Sequence, residues 1–155
     1  MKIFYHCYGS SHTSIVSAAI HLGILPDDRI PTIDEILKVP HYDQGTTELI
    51  GTPIFFGVDE FGCDVYAIGL THAKAMFKRA IRSFLAINNV SEQELVMADA
   101  LARISIYTRI GGYLSRGLGI VSIGRPLSAY GIQRTYYNFV DLTQEVKQKI
   151  MYLQR

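Results

Sequence analysis

The amino-acid sequence predicts a three-layer α/β fold, with a mostly parallel sheet of about five strands and one antiparallel hairpin. Three observations lead to this prediction. The chain opens with a strand pattern that passes through a short polar loop into a helix pattern, in the manner of a P-loop unit. Strand-length apolar runs then alternate with helical periodicity, which is typical of parallel sheets covered on both faces. Two neighbouring strand patterns around residues 59–62 add the hairpin.

The first predicted unit is strand, loop and helix. Residues 2–8 are mainly β-branched and aromatic and are followed by Gly9, which predicts a strand. Residues 13–25 repeat apolar side chains at helical spacing and then meet Gly23 and Pro26, both of which favour a helix end. The loop between the strand and the helix therefore lies at the carboxyl end of the first strand.

A connector and a hairpin follow. Residues 26–51 carry three prolines and one short helical stretch, in which Thr32 and Glu35 fit a capping box, so we expect this connector to pack over the sheet. Residues 53–58 and 63–69 have strand character and flank a short turn that ends in glycine. This pattern predicts two antiparallel strands.

The C-terminal half predicts further alternation. Residues 73–88 place apolar side chains on one helical face with a period of 3.6 residues. Residues 91–98 fit either a helical capping box or a buried parallel strand ending near Asp99, and the alternation favours the strand. The remaining predicted elements are a helix over 102–116, a strand over 120–124, and a helix over 132–153 with a break near Asp141.

Composition narrows the functional classes. The chain of 155 residues is 48% apolar, which is enough for one domain over residues 1–155. Its 15 basic and 14 acidic side chains give a net charge of +1, so neither nucleic acid nor a membrane is an expected partner. The N-terminus enters a strand directly, without an export signal, which predicts a cytoplasmic protein. Cys7 and Cys63 are then expected to be reduced thiols.

The strongest functional signal is the loop at residues 7–14, Cys-Tyr-Gly-Ser-Ser-His-Thr-Ser. Ligands of open α/β sheets bind beyond the carboxyl ends of the strands, where helix amides and the helix dipole attract anions. One cap residue suffices for a helix start, whereas this loop holds four hydroxyls and a histidine, and Gly9 permits an unusual backbone angle. The candidate phosphate-binding residues are Gly9, Ser10, Ser11, Thr13 and Ser14.

Cys7 is the candidate nucleophile and His12 a candidate donor or general acid. The spacing of Cys7 with Thr13 and Ser14 resembles the phosphocysteine loop of sugar-phosphotransferase IIB subunits. That resemblance implies a cysteine that accepts a phosphoryl group while loop amides stabilise the developing charge. The alternative for Cys7 is a small buried apolar side chain.

Two other loop families remain open. The loop also resembles that of low-molecular-weight phosphatases and arsenate reductases, but Thr13 stands where those proteins have an arginine. It further resembles a degenerate Walker A loop, with His12 in the lysine position and Thr13 in the place of the magnesium ligand. Phosphatase chemistry would need an arginine from elsewhere in the chain.

Several residues outside the loop are candidates to support it. Arg125 follows the strand predicted at residues 120–124 and is our preferred phosphate clamp, although an exposed loop arginine is an equally good interpretation. Arg116 stands behind it, and Arg103 and Arg109 also carry charge in this region. His72 and Asp99 follow other predicted strands, but His72 also fits a solvated position in the first helical turn. No short paired ligand spacing is present, so we expect no metal and no cofactor.

Several stretches of the chain are distinctive, namely IFYHCYGSSHTS followed by AAIHLGILP, together with IGGYLSRGLG and SIGRPL further along the chain. In these stretches the chain resembles a domain-of-unknown-function family of spore-forming Gram-positive bacteria. The resemblance covers most of the chain and implies a bacterial cytoplasmic protein. It implies no reaction, so function has to be argued from the site.

These observations leave two functional hypotheses. The first is a protein that binds phosphate or a phosphorylated small molecule or nucleotide at the first loop, with phosphoryl transfer through Cys7. The second is a non-catalytic regulatory or interaction module in which the loop only caps a helix. Small residues at 111–117 flanked by aromatics, with 10 tyrosines and 7 phenylalanines in the chain, are compatible with a homodimer.

Overall fold

The computed structural model describes residues 1–103 and 106–154, and it confirms the α/β fold class. Within those residues the sheet has four strands, compared with about five predicted. They are β1 (Lys2–Cys7), β2 (Ile54–Val58), β3 (Asp64–Gly69) and β4 (Leu95–Asp99). The helices are α1 (Thr13–His21), α2 (Ile33–Leu37), α3 (Lys74–Ile87), α4 (Ile106–Gly112), α5 (Val121–Arg134) and α6 (Tyr136–Leu153). Shorter turns are the 3₁₀ segments Thr47–Leu49, Glu92–Glu94 and Ala100–Arg103 and the π-helical turn Tyr113–Gly117.

The strand order in the sheet is β2-β3-β1-β4. Strand β1 pairs in parallel with β3 and β4, and β2 pairs antiparallel with β3, which confirms the predicted hairpin. The register sets Cys7 opposite Gly69 and His6 opposite Asp99. The carboxyl ends of the three parallel strands therefore share one edge, which is where ligands bind in open α/β sheets.

The alternation along β1 divides the core between the two faces of the sheet. Ile3 and Tyr5 belong to the core cluster with Ala18 of α1 and Val146 of α6. Phe4 faces the other way and packs in a cluster with Phe77 of α3. Helices therefore cover both faces of the sheet. No helix in the described part of the chain has the length and apolar character needed to span a bilayer.

A buried polar chain joins β1, α1 and the hairpin turn. The Tyr5 hydroxyl lies 2.7 Å from His21 Nδ1, and His21 Nε2 lies 3.0 Å from a carboxylate oxygen of Asp59. Burial lowers the pKa of His21 despite the hydrogen bond with Asp59. The neutral imidazole then donates from Nε2 to Asp59 and accepts from Tyr5 at Nδ1. Asp59 also accepts from the amides of Phe61 and Cys63, so the turn is fixed to the helix.

The strand predicted over residues 120–124 is wrong, because these residues enter α5. A Cβ atom built on Gly124 would lie 2.7 Å from the carbonyl oxygen of Gly111 in α4. The two helices therefore cross in backbone contact, which only glycine allows. A short apolar run does not distinguish a buried strand from a helix, and here the contact with α4 decides.

Other helix and strand boundaries also differ from those predicted. The break in the closing helical region falls at Thr135, between α5 and α6, and not near Asp141. The helix predicted over 102–116 is a 3₁₀ turn, α4 and the π-helical turn, with residues 104 and 105 outside the described part. The first helix ends at His21 rather than at residue 25. The strand interpretation of residues 91–98 is confirmed for β4 from Leu95, whereas residues 92–94 form a 3₁₀ turn capped by Ser91. The predicted capping box of α2 is present.

The fold makes stability depend on pH through His6. Its side chain is 1% exposed on the α3 face of β1, and Nε2 has no hydrogen-bond partner among the described residues. Burial lowers the pKa of His6 to about 4, and Lys78 and Lys74 lower it further against the attraction of Asp99. As the pH falls, the unfolded chain takes up this proton first. The contribution of His6 is therefore complete above pH ~6.5 and is lost towards pH ~4.

We expect the free energy of unfolding to fall by about 3 kcal/mol through His6 alone between those pH values, with His21 adding to the slope. The measurement is urea unfolding at a series of pH values. His6→Phe should reduce the slope of the unfolding free energy against pH by the equivalent of one bound proton. The control His41→Asn, at an exposed histidine, should leave that slope unchanged. An unchanged slope in His6→Phe would contradict the assignment.

Candidate functional site

The loop between β1 and α1 lies against the segment that follows β3. The amides of Leu70 and Thr71 donate to the carbonyl oxygens of Cys7 and Tyr8, at 2.9 Å each. Gly9 would permit an unusual backbone angle, but it does not have a positive φ. The left-handed conformation belongs to Ser10, at φ 51°. The loop is therefore formed by contact with β3 rather than by the freedom of its own glycine.

Two glycines outside the loop leave room for it. A Cβ atom built on Gly69 would lie 2.8 Å from the amide nitrogen of Ser10 and 2.9 Å from the carbonyl carbon of Gly9. A Cβ atom on Gly45 would overlap the carbonyl oxygen of Gly9 and the hydroxyl of Ser11. The backbone of the loop is therefore packed between β3 and the segment around residue 45.

The hydroxyls of the loop do not cap α1. His12 occupies the N-cap position and makes no side-chain hydrogen bond to the first turn. The Ser11 hydroxyl donates to the carbonyl oxygen of Gly9 at 3.0 Å, and the Ser14 hydroxyl lies 3.0 Å from the sulfur of Cys7. The amides at the start of α1 are thus left without a side-chain cap, and the positive end of the helix dipole lies behind them.

Cys7 lies at the end of β1 and is 6% exposed. Its only described side-chain hydrogen bond is the one with Ser14 in the first turn of α1. The thiol of Cys7 therefore lies beside a hydroxyl at the N-terminus of α1. Burial, together with the nearby charge of Asp59, raises the pKa of the Cys63 thiol.

Asp43 connects the loop to the helical segment behind it. Its carboxylate accepts from Nε2 of His12 at 3.0 Å and from the hydroxyl of Ser115, while its amide donates to the carbonyl oxygen of Ser11 at 2.7 Å. Burial opposes its charge, but the hydrogen bonds from His12 and Ser115 and the charge of Arg116 lower the pKa of Asp43. An ionised Asp43 keeps a proton on Nε2 of His12. Nδ1 lies on the side of the ring that faces Gly112.

Arg116 is held by the segment that contains Asp43. Its guanidinium donates to the carbonyl oxygen of Asp43 at 3.1 Å and to that of Gly45 at 2.5 Å. Both acceptors are neutral carbonyls, so the positive charge of Arg116 is positioned without a direct carboxylate bond. Three of its five N–H donors take no part in these two bonds.

These groups surround a cleft of about 760 Å³ at the carboxyl edge of the sheet. One wall is the first loop, and the opposite wall is the segment from Thr108 to Gly117. Arg109 and Arg116 lie in the lining, and no aspartate or glutamate does among the described residues. Arg109 forms no ion pair within residues 1–103 and 106–154. The cleft is therefore locally cationic although the whole chain is nearly neutral.

The structure brings most, but not all, of the predicted site residues together. Those in the lining of the cleft are Cys7, Gly9, Ser11, His12, Thr13, His72 and Arg116. Ser10 and Ser14 belong to the loop but are buried, outside the lining. Asp99 also lies outside it and forms an ion pair with Lys74 at 2.9 Å.

Arg125 is not delivered by a strand end, because the predicted strand is part of α5. Its guanidinium donates to the carbonyl oxygen of Leu37 at 2.9 Å, and the residue is not in the lining of the cleft. Asp43, Ser115, Tyr113 and the 45–47 segment were missed as site residues. The helical spacing of Arg109, Gly112, Tyr113, Arg116 and Gly117 was the one signal in the sequence that pointed to the second wall.

Among the described residues no group of three or more His, Cys, Asp or Glu side chains is arranged to hold a metal ion. The donors around the cleft are amides, hydroxyls, imidazoles and guanidiniums, which are suited to an anion.

Substitution of Gly69 tests the packing of the loop. We expect Gly69→Ala to displace Gly9 and Ser10 and to lower the melting temperature by several degrees, because its Cβ atom would meet backbone atoms. Gly9→Ala is the matched control, since its Cβ atom would meet only the Ser11 hydroxyl, at 3.9 Å. Thermal unfolding of both variants gives the comparison. A destabilised Gly9→Ala with an unaffected Gly69→Ala would show that the loop is held differently.

Comparison with known proteins identifies a family but no characterised relative. A search of curated proteins and a search of solved structures each find no significant match to the chain. One family model matches residues 2–148, and its description reads "Protein of unknown function (DUF3189)". Because the match extends over nearly the whole chain, this protein belongs to the DUF3189 family.

Proposed function

We propose that this protein binds phosphate or a phosphorylated small molecule, nucleotides included, at the loop between β1 and α1. The observation that carries the proposal is the cleft in which Arg109 and Arg116 face that loop with no carboxylate in the described lining. Both arginines are exposed to solvent, from which a ligand can reach them, and guanidinium groups match phosphate oxygens well.

The start of α1 gives independent support. The alternative was that the Ser and Thr residues merely cap the helix, but the cap position has no side-chain hydrogen bond. Amides at an uncapped N-terminus and the helix dipole favour a bound anion. Arg116 then takes the clamping role that we first gave to Arg125, since its guanidinium is already fixed beside the loop.

We propose further that Cys7 takes part in phosphoryl transfer. Its thiolate attacks the phosphorus atom, so that an S–P bond forms while the ester P–O bond breaks. The leaving oxygen takes a proton from His12. A water molecule or an acceptor hydroxyl then attacks the phosphocysteine and gives its proton to His12, which releases the phosphoryl group and restores the thiolate. Asp43 stabilises the imidazolium form of His12 on which these two steps depend.

The geometry favours the cysteine-based loops over a Walker A loop. A Walker A interpretation needs a free carboxylate near Thr13 to hold magnesium, and Asp99 was the candidate. Asp99 instead pairs with Lys74 and lies outside the lining of the cleft. The arginine that the phosphatase loop would require at Thr13 has a substitute in Arg116, which comes from the opposite wall.

A second candidate is a non-catalytic regulatory or interaction module that forms a homodimer. Exposed apolar side chains on α4 and α5 favour it, because apolar residues that lie together on a surface often mark contacts. They include Ile106, Ile110, Val121, Ile123 and Tyr130. A concentration-dependent dimer that shows no response to phosphate would support this candidate over the first.

The cellular setting belongs to the proposal too. We propose a bacterial, cytoplasmic protein whose ligand is a small phosphate compound and not nucleic acid or a membrane. The near-neutral charge of the whole chain supports this, because nucleic acids and anionic membranes are usually bound by strongly basic surfaces.

Substitution of Arg116 tests whether the cleft binds phosphate. We expect inorganic phosphate to raise the melting temperature in a saturable manner, and Arg116→Gln to weaken its binding by about 10- to 100-fold through loss of charge-assisted hydrogen bonds. The measurement is thermal unfolding across a phosphate titration. Arg125→Gln is the matched control and should keep the phosphate dissociation constant, whatever its effect on stability. Equal loss in both variants, or no response to phosphate in the wild type, would contradict the proposal.

The reactivity of Cys7 towards an alkylating agent tests the proposed phosphoryl transfer. We expect iodoacetamide to modify Cys7 faster than the fully buried Cys63 and phosphate to protect it. Ser14→Ala should slow the modification because the thiolate loses its hydroxyl donor. Peptide mass spectrometry of samples alkylated at several pH values gives both rates. A Cys7 that stays inert, or that reacts equally with and without phosphate, would remove it from the mechanism while leaving phosphate binding intact.

A further inference from the structure

The cleft is much larger than an inorganic anion. Its volume of about 760 Å³ lies in the range of pockets that hold whole organic ligands, roughly 300–1,000 Å³. The first loop and Arg116 line one part of the cleft. The rest of the lining includes Tyr8, Ile50, Leu101 and Tyr113. A ligand that filled the cleft would therefore carry an organic group next to its phosphate.

The second wall presents a repeated pattern along one side of a helical segment. Arg109, Gly112, Tyr113, Arg116 and Gly117 all line the cleft, at spacings of three and four residues. Arg109 and Gly112 belong to α4 and the other three to the π-helical turn, so the five residues share the cleft rather than one α-helical face. The two arginines are seven residues apart, which corresponds to at most roughly 10 Å along a helix axis. Tyr113 lies between them in the sequence and borders the same cleft.

The two arginines have different environments. Arg116 is held beside the loop by the carbonyl oxygens of Asp43 and Gly45. Arg109 has no carboxylate partner in the described part of the chain and is about two turns away. One phosphate at the loop would be within reach of Arg116 and would leave Arg109 without an anion. Arg109 is exposed to solvent in the lining of the cleft, so it is available to a second anionic group on the same ligand.

Aromatic rings border the space between the two charges. Tyr8 packs edge-to-face on His72, with ring centroids 5.3 Å apart, and both line the cleft. Tyr113 is on the opposite wall and is 64% exposed, next to Gly112 and Gly117, which have no side chains to obstruct its face. Exposed tyrosines beside glycines provide flat apolar surfaces on which a planar ring can stack.

We propose that the ligand is a small aromatic phosphate ester that carries a second anionic group, separated from the first by up to roughly 10 Å. The first phosphate binds at the β1–α1 loop and Arg116, the planar group lies between Tyr8 and Tyr113, and the second anion binds Arg109. This inference rests on the proposed function, because it takes the loop as the site of the first phosphate.

The test is a series of four probes bound to the full chain, measured by isothermal titration calorimetry. Inorganic phosphate has neither feature, ribose 5-phosphate has an organic but non-aromatic group, AMP adds the ring, and adenosine 3′,5′-bisphosphate adds a second anion. We expect AMP to bind about tenfold tighter than ribose 5-phosphate through stacking, and the bisphosphate about tenfold tighter again through Arg109.

Variants separate the contributions. Arg109→Gln should abolish the advantage of the bisphosphate over AMP. The matched control is Arg134→Gln, an exposed arginine on α5 outside the cleft lining, which should preserve that advantage. Tyr113→Ala should abolish the advantage of AMP over ribose 5-phosphate, and circular dichroism should show an intact fold.

The outcomes distinguish the two proposals. If all four probes bind equally, the ligand class is wrong, although the loop still binds phosphate. If the bisphosphate keeps its advantage in Arg109→Gln, the place of the second anion is wrong. If no probe binds, including inorganic phosphate, both proposals fail.

Discussion

The candidate site depends on Asp43 more than on any other residue. Its amide donates to Ser11 in the first loop, and its carboxylate accepts from His12 and Ser115. Its own carbonyl oxygen accepts from Arg116. One residue thus joins the loop to the helical segment that forms the opposite wall. The lowered pKa of Asp43 keeps the carboxylate charged, so the bonds are charge-assisted and the two walls hold a fixed relation.

Close backbone contacts complete this arrangement. Gly45 and Gly69 leave space for the loop, while Gly111 and Gly124 let α4 and α5 cross with their backbones in contact. Each contact requires the absence of a side chain where two different elements or segments meet. The cleft is therefore a product of packing among segments and not of the loop alone, and its cationic lining comes from the same packing.

The sequence predicted the first loop because its chemistry is local. Cys7, His12 and Thr13 follow a strand and precede a helix, and that order by itself places them at the carboxyl edge of a sheet. The position of Arg125, in contrast, is not a local property of the sequence. Its assignment depended on a strand at residues 120–124, and an apolar run of that length fits a strand or a helix equally well. The contact between Gly111 and Gly124 selects the helix, and Arg125 then lies with Leu37 instead of at the cleft.

The sequence alone determined the α/β class, the parallel strands with one hairpin, and the concentration of anion-binding groups after β1. These follow from periodicity and from local turn and helix-start chemistry, which act over a few residues. The tertiary structure decided which arginines face the loop, that Asp43 orients His12, and that Ser10 rather than Gly9 takes the left-handed conformation. Those features join residues up to 73 positions apart, as Asp43 and Arg116 do. Local patterns do not encode such proximity, because it arises only when the helices pack against the sheet.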